Sequence, residues 1–212
     1  MQDYKTHIYD YVPPGYYDKS IRTNLLQRFW HSRRFKEVEK ISQKIDGKIL
    51  DIGSSDGLFT EKIKKYTQCP YIIGIDVLED SVDYANKIRG NDYLKFITAD
   101  AHTLPFENST FSAVYSIESL EHCVDIDQIL KEVSRVLSPQ GIFIVLVPSN
   151  SILFRIIWFL WTSSKGKVWK HAHLHTFSSK SLPILLEKHN FKILEKKSFL
   201  LGMLLLIKAA KQ

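Results

Sequence analysis

Cysteine is scarce in this chain, and long apolar runs are missing. The 212 residues include only two cysteines, Cys69 and Cys123, and no CxxC pair, which disfavours both a disulfide framework and a cysteine zinc site. The most apolar stretch, 152–161, contains Arg155 and is shorter than the ~20 residues that span a bilayer. The first residues lack the apolar run of a signal peptide. These features predict a reduced, soluble, cytoplasmic protein.

The charge is unevenly distributed along the chain. The sequence has 29 Lys and Arg against 23 Asp and Glu, a net charge of +6. Residues 1–47 carry a net charge of +3, residues 48–150 of −6, and residues 151–212 of +9. The basic residues lie either on ordinary solvated helices or on flanks that face an anionic substrate or membrane surface. A uniformly basic groove is not encoded, so no nucleic-acid partner is expected.

Short apolar segments alternate with amphipathic helical segments through the middle of the chain. The predicted strands are 48–52, 71–75, 93–98, 111–116 and 142–147. The predicted helices between them are 56–65, 79–89 and 126–137. A turn is expected at 138–141, where the Pro fixes one dihedral angle and the Gly allows a positive φ. This alternation predicts right-handed crossovers and a doubly wound parallel sheet.

The two ends follow other patterns. Residues 1–20 are rich in Tyr and Pro and predict an irregular arm. A helix is predicted over 21–45, with apolar residues at helical spacing: Leu25, Leu26, Phe29, Trp30, Val38, Ile41 and Ile45. The last third predicts two helices and two strands, at 152–161, 181–189, 191–198 and 203–209. The two strands meet near Gly202 with no room for a crossover helix, so they must be antiparallel.

A turn of small residues joins the first strand of the alternating region to its first helix. Gly53 and Gly57 allow the backbone to approach a ligand, and Ser55 is small enough for the same purpose. At the switch point of an open α/β sheet, this turn is where a nucleotide-like ligand lies. A dinucleotide site needs GxGxxG, whereas the spacing here is G-x-S-x-G and Asp56 stands where a pyrophosphate would lie. The turn therefore favours a ligand without phosphates over NAD.

The stretch 48–60 resembles the first motif of the class I S-adenosylmethionine-dependent methyltransferases, hydrophobic-Asp-hydrophobic-Gly-x-Gly-x-Gly, with Ser55 in place of the middle glycine. Further segments resemble the family in the same order, at 74–77, 99–106, 111–122 and 135–141. The resemblance covers about residues 45–148. It is strongest to the small-molecule branch, methyltransferase type 11, which includes enzymes similar to those of ubiquinone and menaquinone biosynthesis.

The resemblance implies S-adenosylmethionine as the cofactor and S-adenosylhomocysteine as the product. Asp76 would hold both ribose hydroxyls, which one carboxylate can accept together. Asp100 would accept the exocyclic amine of the adenine, and the Ala101 N–H would face the ring. In the family, the counterpart of Asp51 holds the loop and the methionine amino group. The implied cofactor-binding residues are Asp51, Gly53, Ser54, Ser55, Gly57, Asp76, Val77, Asp100, Ala101 and Ile117.

Histidines mark the expected acceptor side. His122 follows the fourth strand and is a candidate catalytic base for the acceptor proton, with a loop-orienting role as the favoured alternative and Glu118 and Glu121 as weaker candidates. His171, His173 and His175 alternate in the manner of a metal-ligand cluster, yet no acidic residue lies near them in the sequence. A structural or pocket-lining role is favoured for these three histidines, and no metal is expected.

An acceptor cover is expected from the apolar segment after the fifth strand and from the N-terminal arm. The candidate substrate-lining residues are Tyr16, Trp158, His173 and His175. Aromatic side chains in these segments suit an apolar acceptor, a membrane surface or a partner, with plain core packing as the alternative. The Asn/Asp-Pro-Pro-aromatic motif and the Pro-Cys nucleophile used on nucleic-acid bases are absent. Methylation of nucleic-acid bases is therefore not expected, and the family resemblance implies a small-molecule acceptor.

These observations together predict one Rossmann-like domain of three α/β/α layers. The resemblance implies a seven-stranded sheet of order 3-2-1-4-5-7-6 with the seventh strand antiparallel. Its parts are an arm and helix (1–45), a cofactor-binding core (46–148), and a substrate-cover segment with the C-terminal strands (149–212). The predicted function is methyl transfer to a small, hydrophobic or anionic acceptor. The alternatives are a non-catalytic cofactor-binding or interaction protein of the same fold and, less favoured, an NAD-dependent oxidoreductase.

Overall fold

The computed structural model describes residues 13–163 and 174–212. Seven strands form one sheet of order β3-β2-β1-β4-β5-β7-β6, in which β7 runs antiparallel to both of its neighbours. The strands are β1 (Lys48–Ile52), β2 (Tyr71–Asp76), β3 (Leu94–Thr98), β4 (Phe111–Ile117), β5 (Leu137–Pro148), β6 (Phe191–Phe199) and β7 (Leu204–Lys211). The predicted sheet order and the antiparallel seventh strand are confirmed.

Helices cover both faces of the sheet. They are α1 (Tyr16–Thr23), α2 (Leu25–Ile41), α3 (Leu58–Thr67), α4 (Glu79–Arg89), α5 (Ile126–Val136), α6 (Ile152–Thr162) and α7 (Ser181–Lys188). One buried cluster joins α5 and α7 to the sheet, and a second joins α2, α3 and α4 to the opposite face. In α5, apolar residues recur at helical spacing, so one side of that helix is buried along its length. The three-layer arrangement is therefore as predicted.

The N-terminal region departs from the prediction. Part of the expected arm is the helix α1, and the expected continuous helix over 21–45 is interrupted at Asn24. The Asn24 side chain accepts hydrogen bonds from the N–H groups of Leu26 (3.0 Å) and Gln27 (3.2 Å), which caps the N-terminus of α2. Residues 1–12 of the predicted arm lie outside the described residues.

The buried face of α2 agrees with only part of its apolar pattern, since Val38 and Ile41 are buried and the apolar residues of the first turns are not. Leu25 and Leu26 are 75% and 80% exposed, whereas the buried positions of the helix are His31, Arg34, Glu37, Val38 and Ile41. These buried positions recur every three or four residues and so lie on one face. The helix therefore presents a cation, an anion and an imidazole to the protein interior.

The predicted turn at 138–141 lies within the long strand β5. The positive φ there belongs to Gln140 (62°) rather than to Gly141. A Cβ atom on Gly141 would lie 2.8 Å from the Ser138 carbonyl oxygen, so close packing accounts for this glycine. The pairing of β4 with β5 also shifts register between Phe111 and Ala113, which indicates a bulge at this point.

Candidate functional site

The turn from β1 into α3 lies at the carboxyl end of the central strand. Both Gly53 and Ser54 donate their N–H groups to the Ile75 carbonyl oxygen at 2.9 Å. Gly53 has a φ of 74°, and a Cβ there would lie 2.3 Å from the Ser119 Cβ. Ser55 also has a positive φ, 48°, a conformation that glycine adopts more easily. Position 53 therefore requires glycine for its conformation and for the close approach of the loop after β4.

Gly57 begins α3 with a φ of 79°, and its hydrogen atom faces the Phe96 ring. A Cβ at this position would lie 2.4 Å from that ring. Gly57 is not among the residues that line the cleft described below. The structure thus gives Gly57 a role in helix–sheet packing, where the sequence predicted close approach to a ligand.

Asp76 ends β2 beside this turn and is half-buried. One carboxylate oxygen accepts the Ser55 N–H at 2.8 Å, and the other accepts the Leu78 N–H at 3.0 Å. Each carboxylate oxygen has capacity for more than one hydrogen bond. Burial raises the pKa of Asp76, and the backbone hydrogen bonds oppose that shift. Asp76 is therefore held in a fixed orientation with acceptor capacity to spare.

Asp51 lies on β1 beneath the turn and is 1% exposed. Its Oδ2 accepts a hydrogen bond of 2.6 Å from the Thr60 hydroxyl on α3. Burial raises the pKa of Asp51 to about 7, and the Asp76 carboxylate adds to this effect. Its charge therefore changes close to neutral pH.

These groups open onto one cleft. The cleft is lined by Tyr17, Arg34, Asp51, Gly53, Ser54, Ser55, Asp56, Phe59, Ile117 and Glu118, and it encloses about 30 Å³. Five of the predicted cofactor-binding residues therefore meet in one place. The structure adds five residues that the sequence did not assign to the cofactor site. They come from α1, α2, α3, the β1–α3 turn and the loop after β4.

Arg34 is the cation among these lining residues. It is 3% exposed, forms an ion pair with Glu118, and stacks over the Phe59 ring at 5.1 Å. Its Nη2 donates to the His31 Nδ1 at 2.5 Å. Burial and the charge of Arg34 lower the pKa of His31 to about 2, so this imidazole stays neutral and accepts that hydrogen bond. The Arg34 Nε atom is buried and has no hydrogen-bond acceptor among the described residues.

The helix α1 closes over the cleft and is fixed to its rim. The Asp18 carboxylate pairs with Arg89 at 2.6 Å and accepts a hydrogen bond of 3.2 Å from the Tyr84 hydroxyl. The Asp18 N–H donates to the Asp56 carboxylate at 3.1 Å, and Arg89 donates to the Asp56 carbonyl oxygen at 3.0 Å. These bonds hold the neighbouring Tyr17 over the cleft.

The predicted adenine-contacting residues Asp100 and Ala101 follow the end of β3 and are not among the residues that line the cleft. Asp100 Oδ1 accepts both the N–H of His102 at 2.9 Å and its Nδ1 at 2.6 Å. Ala101 is buried, and Val77 follows Asp76 directly at the end of β2. Because β2 and β3 are parallel neighbours, Asp76 and Asp100 lie at the same edge of the sheet.

The loop after β4 contains Glu118, with a φ of 52°, and a short 3₁₀ turn, Leu120–His122. His122 Nε2 lies 4.0 Å from Glu121 Oε1, and His122 is not among the cleft-lining residues. Glu121 is 1% exposed, and neither carboxyl oxygen has a hydrogen-bond partner among the described residues. Burial raises the pKa of Glu121 to about 8. This side chain is therefore neutral at pH 7.

The chain was compared with family models and with known proteins and structures. Residues 50–145 match the family model described as a methyltransferase domain. A chain from the complex between the Haloferax volcanii Trm112 methyltransferase activator and a methyltransferase has the same fold, with a TM-score of 0.74 and 17% identity over 92% of this chain and 96% of that one. Residues 50–145 are therefore similar to a methyltransferase domain, and the fold is shared with this solved chain.

Two curated relatives of this chain are named as sterol methyltransferases. The sterol 24-C-methyltransferase ERG6B of Gibberella zeae is 36% identical over 100 residues, which are 45% of this chain and 26% of the relative. The sterol 4-C-methyltransferase strm-1 of Caenorhabditis elegans is 29% identical over 148 residues, which are 67% and 42% of the two chains. The chain thus spans about a quarter to two fifths of the length of these relatives.

The predicted substrate-lining residues fall in different places. Tyr16 is half-buried on α1 and makes an edge contact with Tyr17, at 5.7 Å between ring centroids. Trp158 is half-buried on α6 and stacks on Phe154 at 5.5 Å. His175 donates its backbone N–H to the Glu121 carbonyl oxygen at 3.1 Å, which brings the chain after residue 173 against the loop that follows β4.

His171 and His173 lie outside the described residues. In the part of the chain that the structure describes, no group of three His, Cys, Asp or Glu side chains could hold a metal ion. No helix within these residues has the length and apolar character needed to cross a membrane.

The buried face of α2 contains the sequence signal that would have identified Arg34. His31, Arg34, Val38 and Ile41 follow one another at intervals of three or four residues, so they share one side of the helix. Two of these four are polar, and an Arg that shares a face with Val38 and Ile41 is informative because Arg is almost never fully buried unless it is paired. Leu25, Leu26 and Phe29 are exposed, so the apolar residues of the first turns do not mark this face.

Proposed function

We propose that this chain transfers a methyl group from S-adenosylmethionine to a small, partly apolar acceptor. The observation that carries the proposal is the juxtaposition of Asp51, the β1–α3 turn and the fixed Asp76 carboxylate at adjacent strand ends. Asp56 also lines the cleft, and its negative charge opposes the pyrophosphate of a dinucleotide. Both curated relatives above are named as sterol methyltransferases, which supports an acceptor with apolar surface.

The chain's residues fit the nucleoside end of this cofactor. The two Asp76 oxygens keep acceptor capacity for the ribose hydroxyls. The Ala101 N–H is assigned to face the adenine ring, and Val77 is assigned to the same end of the cofactor, as the family resemblance implies. Asp100 Oδ1 already accepts two hydrogen bonds from His102, so Oδ2 is the atom we assign to the adenine amine.

The other end of the cofactor is an amino acid and requires groups of both charges. Asp51 is the acceptor that we assign to its ammonium group, and Arg34 the donor that we assign to its carboxylate. The Ser54 hydroxyl and the Arg34 Nε are buried and without hydrogen-bond partners among the described residues, which fits a polar ligand at this end of the cleft. Carboxylate binding at Arg34 would compete with the ion pair to Glu118.

The cleft is narrow where Tyr17 and Arg34, from α1 and α2, cover it, with a volume of about 30 Å³, enough for water. A shift of these two helices would widen it for the cofactor. Their return would exclude water from the transfer site, which favours the reaction.

When bound, the cofactor supplies an already activated methyl group, so the chain contributes mainly proximity and orientation. Ile117 provides an apolar wall at the end of β4. His122 remains the predicted base for an acceptor that must lose a proton, and Glu121 lies beside it as a neutral acid. Tyr16, Trp158 and His175 are assigned to the acceptor cover, and His173 is assigned there from the sequence alone.

Ligand-dependent melting tests the proposal. S-adenosylhomocysteine should raise the Tm of the protein whereas NAD should not, because a ligand that binds only the native state stabilises it. Asp76→Ala should reduce the shift, and Asp83→Ala, which removes an exposed carboxylate from α4, should leave it unchanged. The absence of a shift with S-adenosylhomocysteine in the unaltered protein would refute the cofactor assignment. A full shift in Asp76→Ala would refute the ribose assignment.

A further inference from the structure

The outward face of α6 is apolar. Ile152, Ile156 and Phe159 are 76%, 51% and 69% exposed, and their spacing of four and three residues places them on one side of the helix. Arg155 is exposed beside Ile152 and Phe159 on the same side. Few surface helices of a globular domain present three large apolar side chains in line, so this face indicates a binding surface.

A second exposed apolar group lies on the first turns of α2. Leu25, Leu26 and Phe29 are 75%, 80% and 59% exposed. They precede the cleft-lining Arg34 by five to nine residues, a distance of about 8–14 Å along a helix axis. This group therefore projects beyond the cleft.

Both apolar groups lie at the same edge of the sheet. Helix α6 begins four residues after β5 ends at Pro148, at the carboxyl end of that strand. The cleft lies at the carboxyl end of β1, and β1, β4 and β5 are consecutive parallel strands. The α2 group extends from the cleft on the side away from Ile41, where α2 returns towards the start of β1. Both groups therefore lie at the end of the sheet where the cleft opens.

The sequence around each group is basic and lacks acids. Residues 19–36 contain six Lys and Arg and no Asp or Glu, and α6 (Ile152–Thr162) contains Arg155 and no Asp or Glu. Between these stretches, residues 48–150 carry a net charge of −6. Exposed apolar side chains together with Lys and Arg are the combination that binds an anionic bilayer interface.

We propose that the surface formed by these two groups and their basic neighbours docks on an anionic lipid membrane. The apolar side chains enter the interfacial region, and Lys19, Arg22, Arg28 and Arg155 contact the lipid headgroups. This docking does not depend on methyl transfer, although it would place the mouth of the cleft at the bilayer, where an apolar acceptor dissolves. A membrane fits this surface better than a protein partner does. The basic and the apolar side chains are spread over two separate elements, α2 and α6, and they form no acidic or hydrogen-bonding pattern that a protein partner would recognise.

Vesicle sedimentation of the full chain tests the proposal. Vesicles of phosphatidylcholine with phosphatidylserine should sediment the protein, and vesicles of phosphatidylcholine alone should bind it at least about tenfold less. High salt should release it. Phe159→Glu and Leu26→Glu should each reduce binding by about tenfold or more, because each removes one inserted apolar side chain and adds a repelled charge.

Ile88→Glu is the matched control, since Ile88 is 54% exposed on α4, within the acidic core, and outside both groups. This variant should bind vesicles as the unaltered protein does. The S-adenosylhomocysteine melting shift, measured on every variant, reports folding and cofactor binding separately from docking. Failure of the unaltered protein to bind anionic vesicles would overturn the proposal. A stable dimer in solution that Phe159→Glu dissociates would overturn it as well, since a second copy would then cover α6.

Discussion

Asp51 should make cofactor binding depend on pH near neutrality. Its carboxyl group is 1% exposed, has one hydrogen bond from Thr60, and has a pKa raised to about 7 by burial. An ammonium group placed against it would favour the ionised form and lower that pKa. Binding would therefore release a proton from Asp51 at any pH below about 7, and acid would weaken binding.

The size of the effect follows from the pKa of Asp51. With a pKa of about 7, about one tenth of the free protein has an ionised Asp51 at pH 6 and about nine tenths at pH 8. If only the ionised form pairs with the ammonium group, the dissociation constant of S-adenosylhomocysteine should fall about tenfold between these pH values. Asp51→Asn should bind weakly at both, with no such slope.

The stability of the ligand-free protein gives an independent check on Asp51. Its folded-state pKa is raised from 3.8 to about 7, so its contribution is fully present below pH 3.8 and is lost as the pH rises to about 7. A shift of this size corresponds to about 4 kcal/mol at most. The stability of Asp51→Asn relative to the unaltered protein should therefore increase between pH 5 and pH 8.

Isothermal titration calorimetry at pH 6, 7 and 8 measures the binding, and urea unfolding measures the stability. Asp46→Asn is the control, because that carboxylate is 87% exposed and lies before β1. A dissociation constant that is flat between pH 6 and pH 8 would refute the assignment of Asp51 to the ammonium group. So would a slope that persists in Asp51→Asn, because another group would then be titrating.

Three further variants probe the turn and the two buried charged groups. Gly53→Ala should lower the free energy of unfolding, measured in urea, by about 2–4 kcal/mol, because a Cβ there would lie 2.3 Å from the Ser119 Cβ. Gly202→Ala is the control, since Gly202 has a similar φ and open space around it, and it should lose about 1 kcal/mol. Arg34→Met should cost about 3 kcal/mol by leaving Glu118 unpaired, and it should weaken S-adenosylhomocysteine binding in calorimetry; adding Glu118→Gln should restore stability but not binding. Glu121→Gln should raise the Tm more at pH 9 than at pH 5. Burial raises the folded-state pKa of Glu121 to about 8, so the stability associated with the neutral carboxyl group is present at pH 5 and is lost as the pH rises through about 8. An equal change at both pH values would contradict it.

The order of the strands could be predicted because local and global signals agree. Central strands such as β5 are apolar throughout their second half, and the helices between strands have one apolar face. The break at Asn24 was missed because apolar residues continue on both sides of it. The capping bonds of the Asn24 side chain decided the boundary, and hydrophobic spacing contains no information about such bonds.

The residues of the candidate cofactor site could be predicted only where one short segment brings them together. Residues 51–55 form the end of β1 and the turn after it, and Ile117 ends the strand beside them, so a local motif points to these residues. Tyr17 and Arg34 reach the same cleft from helices that are distant in the sequence. Their role depends on how α1 and α2 cross the sheet, which follows from tertiary contacts such as the Asp18–Arg89 pair.

The opposite net charges of residues 48–150 and of the two flanking segments are consistent with a positively charged cofactor in the proposed reaction. S-adenosylmethionine has a positive sulfonium and a positive ammonium group, and the product retains only the ammonium. The cofactor core, at −6, therefore attracts the substrate form of the cofactor more strongly than the product form. The flanks, at +3 and +9, would repel the same cation if they lined the cofactor site. Arg34 avoids this conflict because Glu118 neutralises it until a carboxylate arrives. The remaining basic residues are then free to face an anionic surface, where their charge contributes to binding.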